Sequence, residues 1–148
     1  MSASTKTLPP ANLARRLNHV ARLINREFDR RLAPLGVNVA YLPVLGALNT
    51  AQALSQKELA ELAGIGQPAM AQMLDRMVKE GLLQRTADSV DRRKVIFSLS
   101  ERASGRMGSI GAEIKTGNDD VFAVLEPEGQ DRLSSLLMVL EIHLETKK

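Results

Sequence analysis

From Ala11 onward apolar residues return every three or four positions, at Leu13, Leu17, Val20, Ile24, Phe28 and Leu32, with Arg15, Arg16, Arg22, Asn25, Arg26 and Arg30 between them. That period predicts an amphipathic helix, which Pro34 and Gly36 end. Residues 39–48 carry a second helical pattern, with Leu42, Leu45 and Leu48 on one face and Pro43 tolerated in the first turn. Residues 1–10 are polar, close on Pro9-Pro10 and have no period, so they are expected to form a flexible arm.

Ser55-Gln56-Lys57-Glu58 reads as a capping box, in which the Ser hydroxyl and the Glu carboxylate satisfy each other's backbone donors at a helix start. A short helix over residues 56–63 should follow. Gly64 turns the chain, and Gln67-Pro68 opens another helix whose inner stripe is Met70, Met73, Leu74 and Met77 and which Gly81 ends. Two short helices around a glycine turn are a candidate helix-turn-helix. Residues 82–86 and 94–99 then alternate and are rich in β-branched side chains, with the polar run 87–93 between them. They predict a β-hairpin, a wing beside the second helix.

Ser100 caps a further helix that runs through Met107, Ile110, Ile114 and Val121. It contains Gly105, Gly108, Gly111 and Gly117, each costing about 1 kcal/mol against Ala in a helix interior, which leaves its continuity open. Pro127 is expected to break the chain. In the last helix Leu133, Leu136, Leu137, Leu140 and Leu144 form one apolar face that Met138, Val139 and Ile142 widen. So wide a stripe calls for a second chain, and terminal helices packed about a twofold axis would set two wings on one side. Leu13, Leu17, Leu137, Met138, Leu140, Ile142 and Leu144 are the expected dimer contacts. The fold class is mainly α with a small β-wing: one domain over residues 11–148, with a winged helix-turn-helix at 51–100 between dimerisation helices at 11–50 and 101–148.

Composition narrows the function. The 148 residues are 44% hydrophobic, enough to fold, and 20 Lys and Arg against 17 Asp and Glu give a net charge of +3, which permits an anionic partner without naming one. The chain has no Cys, so a disulfide framework, a thiolate zinc site and a cysteine redox switch are excluded, and a reducing cytoplasm is the expected compartment. No apolar run approaches the roughly 20 residues that span a bilayer, and the first ten residues lack a signal-peptide apolar segment. His19 and His143 are the only imidazoles and stand in no metal-ligand or triad-like spacing, nor is there a phosphate-binding glycine motif. An enzyme and a bound cofactor are therefore not expected.

Opposite its Met and Leu stripe, the second helix of the pair presents Gln67, Pro68, Ala69, Gln72, Arg76 and Lys79. Gln can bond an adenine edge bidentately and a small apolar side chain can meet a thymine methyl, so this face suits a major groove. Arg92, Arg93 and Lys94 cluster at the hairpin tip with Asp88 and Asp91 able to orient them by charge-assisted hydrogen bonds, and an Arg there suits a narrow minor groove. Ser55, Gln56 and Lys57 lie where a helix start meets phosphate, although capping alone accounts for Ser55.

The wording from Leu54 to Ser100 resembles the MarR family of bacterial regulators. Leu54-Ser55-Gln56-Lys57-Glu58-Leu59-Ala60 is similar to the first helix of its helix-turn-helix, and the run from Gln67 to Met77 to its recognition helix. Lys79-Glu80-Gly81-Leu82-Leu83 resembles the helix exit, and Asp91-Arg92-Arg93 with Ser98-Leu99-Ser100 resembles the wing and the start of the next helix. The resemblance implies a homodimeric regulator of transcription, a repressor in its usual form, that binds double-stranded DNA with a pseudo-palindromic operator. It also implies that Arg93 enters the minor groove and that a small anionic aromatic effector binds between the dimer helices and the winged part, where Arg16, His19 and Tyr41 are candidates. Ala71 and Gln72 stand where the family often has Thr or Ser and a basic residue. On those two positions rests the alternative, a winged-helix protein-interaction or dimerisation module that does not bind DNA.

Overall fold

The structure is a computed structural model that describes residues 12–147, so the expected arm and the expected helix start at Ala11 lie outside the described residues. The chain divides into two compact units, Met1–Glu113 and Ile114–Lys148.

In the first unit, α1 (Leu13–Leu32) is followed by a 3-10 turn at Ala33–Leu35 that contains Pro34, and Gly36 then takes a left-handed conformation. The second helical pattern is split: Val39–Tyr41 is a 3-10 turn, and α2 (Leu42–Ala51) starts only there, with Pro43 in its first turn where a missing N–H costs nothing. Asn38 Oδ1 caps the turn by accepting from Tyr41 N at 3.2 Å, and Asp29 Oδ1 accepts from Val39 N at 2.8 Å. Leu45 and Leu48 are buried as the pattern requires, but Leu42 is only half-buried, and Tyr41 and Val44 join the core instead.

A two-residue strand, β1 (Leu54–Ser55), leads into α3 (Gln56–Ala63), and α4 (Gln67–Lys79) follows the Gly64 turn. Then come β2 (Leu83–Ala87) and β3 (Val95–Leu99), which pair antiparallel with Arg85 opposite Phe97. The hairpin lies within a residue of its expected place. Unexpected is the third strand: β1 pairs with the other edge of β3, Leu54 opposite Phe97, giving the order β1-β3-β2. The core between sheet and helices holds Leu45, Leu48, Leu59, Met70, Leu74, Met77, Leu82 and Phe97.

All four glycines lie inside one helix, α5 (Glu101–Phe122). Ser100 Oγ caps it by accepting from Ala103 N at 3.1 Å, and Ala103 and Ile110 are buried on its inner side. Packing of that face offsets the poor helix propensity of the glycines. The break before the last helix falls earlier than expected, in a 3-10 turn at Ala123–Leu125. Pro127 opens α6 (Glu126–Glu145) from its first turn, the position where proline is helix-compatible. No residue of α6 is buried, and Leu137, Met138, Leu140, Ile142 and Leu144 all stand exposed. No single helix among the described residues is long and apolar enough to cross a membrane.

Candidate nucleic-acid interface

The helix-turn-helix is built by local chemistry. Ser55 Oγ accepts from Glu58 N at 3.2 Å, which caps α3. The return half of the expected capping box is different: Glu58 Oε1 accepts from the Ser55 hydroxyl at 3.1 Å, not from a backbone N–H. Ser55 is engaged backbone-first, as the residue of β1 opposite Ile96. Gln56 Nε2 reaches Gln67 O at 3.4 Å, tying the start of α3 to the start of α4. Met70, Leu74 and Met77 of α4 are fully buried and Met73 half-buried, so Gln67, Pro68, Ala69, Gln72, Arg76 and Lys79 are turned outward together.

The wing tip is shaped by two aspartates, though not in the way its charges suggest. Asp88 Oδ1 accepts from Val90 N at 3.2 Å and Asp91 Oδ1 from Arg93 N at 3.1 Å. Both carboxylates thus close Asx turns on the backbone instead of orienting guanidinium groups, because a side chain two residues upstream reaches the N–H first. Backbone bonds from Asp88 N to Lys94 O (2.8 Å) and from Lys94 N to Asp91 O (2.9 Å) finish the loop. Arg92, Arg93 and Lys94 are left exposed. Behind the tip, Ser55, Gln56, Lys57 and Lys94 line one open groove of about 560 Å³, together with Glu58 and Glu61.

Arg85 joins wing to helix. It makes an ion pair with Asp75 on α4, and its guanidinium carbon lies 5.5 Å from the centre of the Phe97 ring, within cation–π range. The sequence pattern gave no sign of this pair, whose ten-residue separation spans a helix end and a turn.

The far end of α4 is held from three directions. Tyr41, 1% exposed, has its hydroxyl 3.0 Å from both carboxylate oxygens of Glu80. Arg102 of α5 donates to Glu80 O at 2.7 Å, and Ser100 Oγ donates to Gly81 O at 2.7 Å. Gly81 itself has φ +76, and an added Cβ would lie 3.7 Å from the Arg102 guanidinium carbon, so only glycine takes this conformation without strain. Ser100→Ala removes a helix cap and strands a part-buried carbonyl. It should destabilise the fold by about 1–2 kcal/mol, read as a lower midpoint in urea unfolding; an unchanged midpoint would show that neither bond matters.

The expected effector residues divide. Arg16 and His19 line an open groove of about 400 Å³ on α1 with Asn12, Arg15 and Arg22. Tyr41 is not among the described residues lining it, and its hydroxyl is occupied by Glu80. Further along α1, Glu27 bonds Arg30 and Arg31, and their hydrogen bonds hold its carboxyl down at about 2. Of the expected dimer residues, Leu13 and Leu17 on α1 are exposed, at 58% and 43%.

Residues 35–94 match the sequence profile described as the MarR family. Among solved structures, a mutant MarR from E. coli complexed with operator DNA shares 22% of residues with this chain at a TM-score of 0.78, covering 90% of this chain and 99% of that one. The transcriptional repressor CouR bound to a 23-mer DNA duplex shares 25% at a TM-score of 0.76, covering 92% and 99%. A probable transcriptional regulator from Pseudomonas aeruginosa shares 24% at a TM-score of 0.68, covering 84% and 96%. With the ordered motifs between Leu54 and Ser100 and a fold shared with MarR and CouR, the profile match makes residues 35–94 a winged helix-turn-helix of the MarR family.

Proposed function

We propose that the protein is a sequence-specific, double-stranded DNA-binding regulator of transcription that works as a cytoplasmic homodimer and represses. The observation that carries the reading is the joint presentation of two surfaces: the outward face of α4, with Gln67, Pro68, Ala69, Gln72, Arg76 and Lys79, and the basic wing tip, braced to that helix by Arg85. Similar folds, in MarR and CouR, are seen on DNA. In a symmetric dimer the two α4 helices enter successive major grooves, about 34–36 Å apart, which calls for a pseudo-palindromic operator. Ser55, Gln56, Lys57 and Asp91 serve this surface from behind, through phosphate contact or by shaping the loop. The test is a gel shift over a salt series with the DNA around the protein's own gene. Specific binding should survive competitor DNA; loss of all retention to competitor would favour the protein-interaction reading.

Gln72 is the reader of a base edge in this arrangement. Gln72→Ala should relax discrimination at one position of each half-site by about 1–3 kcal/mol, measured with single-base operator variants. An unaltered preference at every position would remove Gln72 from base readout. For control of binding, the cationic groove on α1 around Arg16 and His19 suits a small anionic aromatic effector.

A further inference from the structure

We propose that Tyr41 is a positioning residue for DNA recognition: through its bond to Glu80 it fixes the last turn of α4 and, with it, the setting of Arg76. The inference rests on the DNA-binding reading above. Tyr41 sits in the short turn before α2, thirty-nine residues from Glu80 in sequence, and its ring is packed among the core side chains at 1% exposure. A phenol so placed needs a partner for its hydroxyl, and it has chosen one at the C-cap of α4. Burial first, then the Glu80 carboxylate, push the phenol above its ordinary value, and the Arg76 guanidinium draws it back down. Arg76 and Glu80 stand four residues apart, one turn along the same side of the chain, which is the spacing at which a carboxylate and a guanidinium meet.

Two other bonds reach this end of the helix, from Arg102 to Glu80 O and from Ser100 to Gly81 O, but both end on backbone carbonyls. They hold the course of the main chain. Tyr41 alone among the three takes the Glu80 side chain, one turn beyond Arg76 on α4. Without it the carboxylate is released to swing onto Arg76 or into solvent, and the guanidinium loses its fixed bearing toward the groove while the helix remains folded.

The test uses the full chain and a duplex selected by the wild-type protein from a random-sequence pool. Tyr41→Phe deletes the hydroxyl and keeps the ring. Affinity should fall about fivefold, and the loss should disappear in an Arg76→Ala background, since both changes act on one contact. Amide exchange at residues 76–81 without DNA should quicken in Tyr41→Phe. Glu80→Ala, at an exposed site, removes the acceptor, should weaken binding in the same direction and serves if Tyr41→Phe folds poorly. Equal affinity of Tyr41→Phe and wild type, or losses that simply multiply with that of Arg76→Ala, would overturn the inference and leave DNA binding intact. Failure of the wild type to select any duplex would instead overturn the DNA-binding reading, with amide exchange still reporting on the bond.

Discussion

A chain carrying Leu137→Asp and Leu140→Asp is expected to be monomeric or unfolded and to retain no DNA. Most of α6 faces solvent, Leu133 being half-buried: Leu136 is 59% exposed, Val139 65% and Leu144 61%, with Leu137 and Leu140 at 38% and 43%. Contiguous apolar surface on this scale marks an interface, and each square ångström covered contributes about 25 cal/mol. In a homodimer the same patch faces itself, so two substitutions place four carboxylates in it. Burying each one without a partner costs several kcal/mol, more than the leucine contacts supply. DNA binding should fail together with association, because one winged part alone engages only half of a twofold operator. Sedimentation and duplex binding measured on the same preparation check this. An intact dimer that still holds DNA would place the interface elsewhere.

Arg93→Ala should weaken binding to nearly every duplex, by about a hundredfold at low salt if each wing loses on the order of 1.5 kcal/mol. The Arg93 backbone is pinned by Asp91 and its side chain is exposed, so the substitution removes a charge without disturbing the loop. What distinguishes it from Gln72→Ala is the pattern of loss. A charge in a narrow minor groove answers to the local potential more than to a single base, and its removal should lower the salt slope by about one unit for each wing. Isotherms from low to moderate salt give both quantities. An unchanged affinity and slope would mean that the wing does not meet DNA in the expected way.

The ends of α3 and α4 were readable from the chain because they depend on residues that act locally: Ser55 as a cap, Gly64 and Gly81 as left-handed turns, Pro68 in a first turn. The same locality explains what was within reach and read differently. Asp88 and Asp91 each stand two residues before the N–H they bond, an Asx-turn spacing, and this local bond prevails over the charge pairing that their basic neighbours suggest. β1 has only two residues, too few to show a period, and exists because β3 has a free edge beside it. The Arg85–Asp75 pair and the Tyr41–Glu80 bond follow from sheet register and from the packing of α2 against α3 and of α3 against α4, neither of which the spacing of residues reveals. In α5 the glycines argue against a helix and the buried Ala103 and Ile110 argue for it, and packing prevailed.

The small sheet has a meaning beyond holding the hairpin. β3 is bonded on one side to β2 and on the other to the strand that opens α3, while Arg85 carries β2 to α4. The entrance of α3, the outward face of α4 and the base of the wing are thus one preorganised block, already ordered in the free protein. Little conformational entropy at these elements remains to be lost when a duplex arrives, which favours affinity from a modest number of contacts. The same rigidity means that an operator with altered half-site spacing cannot be followed by bending within the block. It has to be met by the helices outside residues 54–99, or by deformation of the DNA.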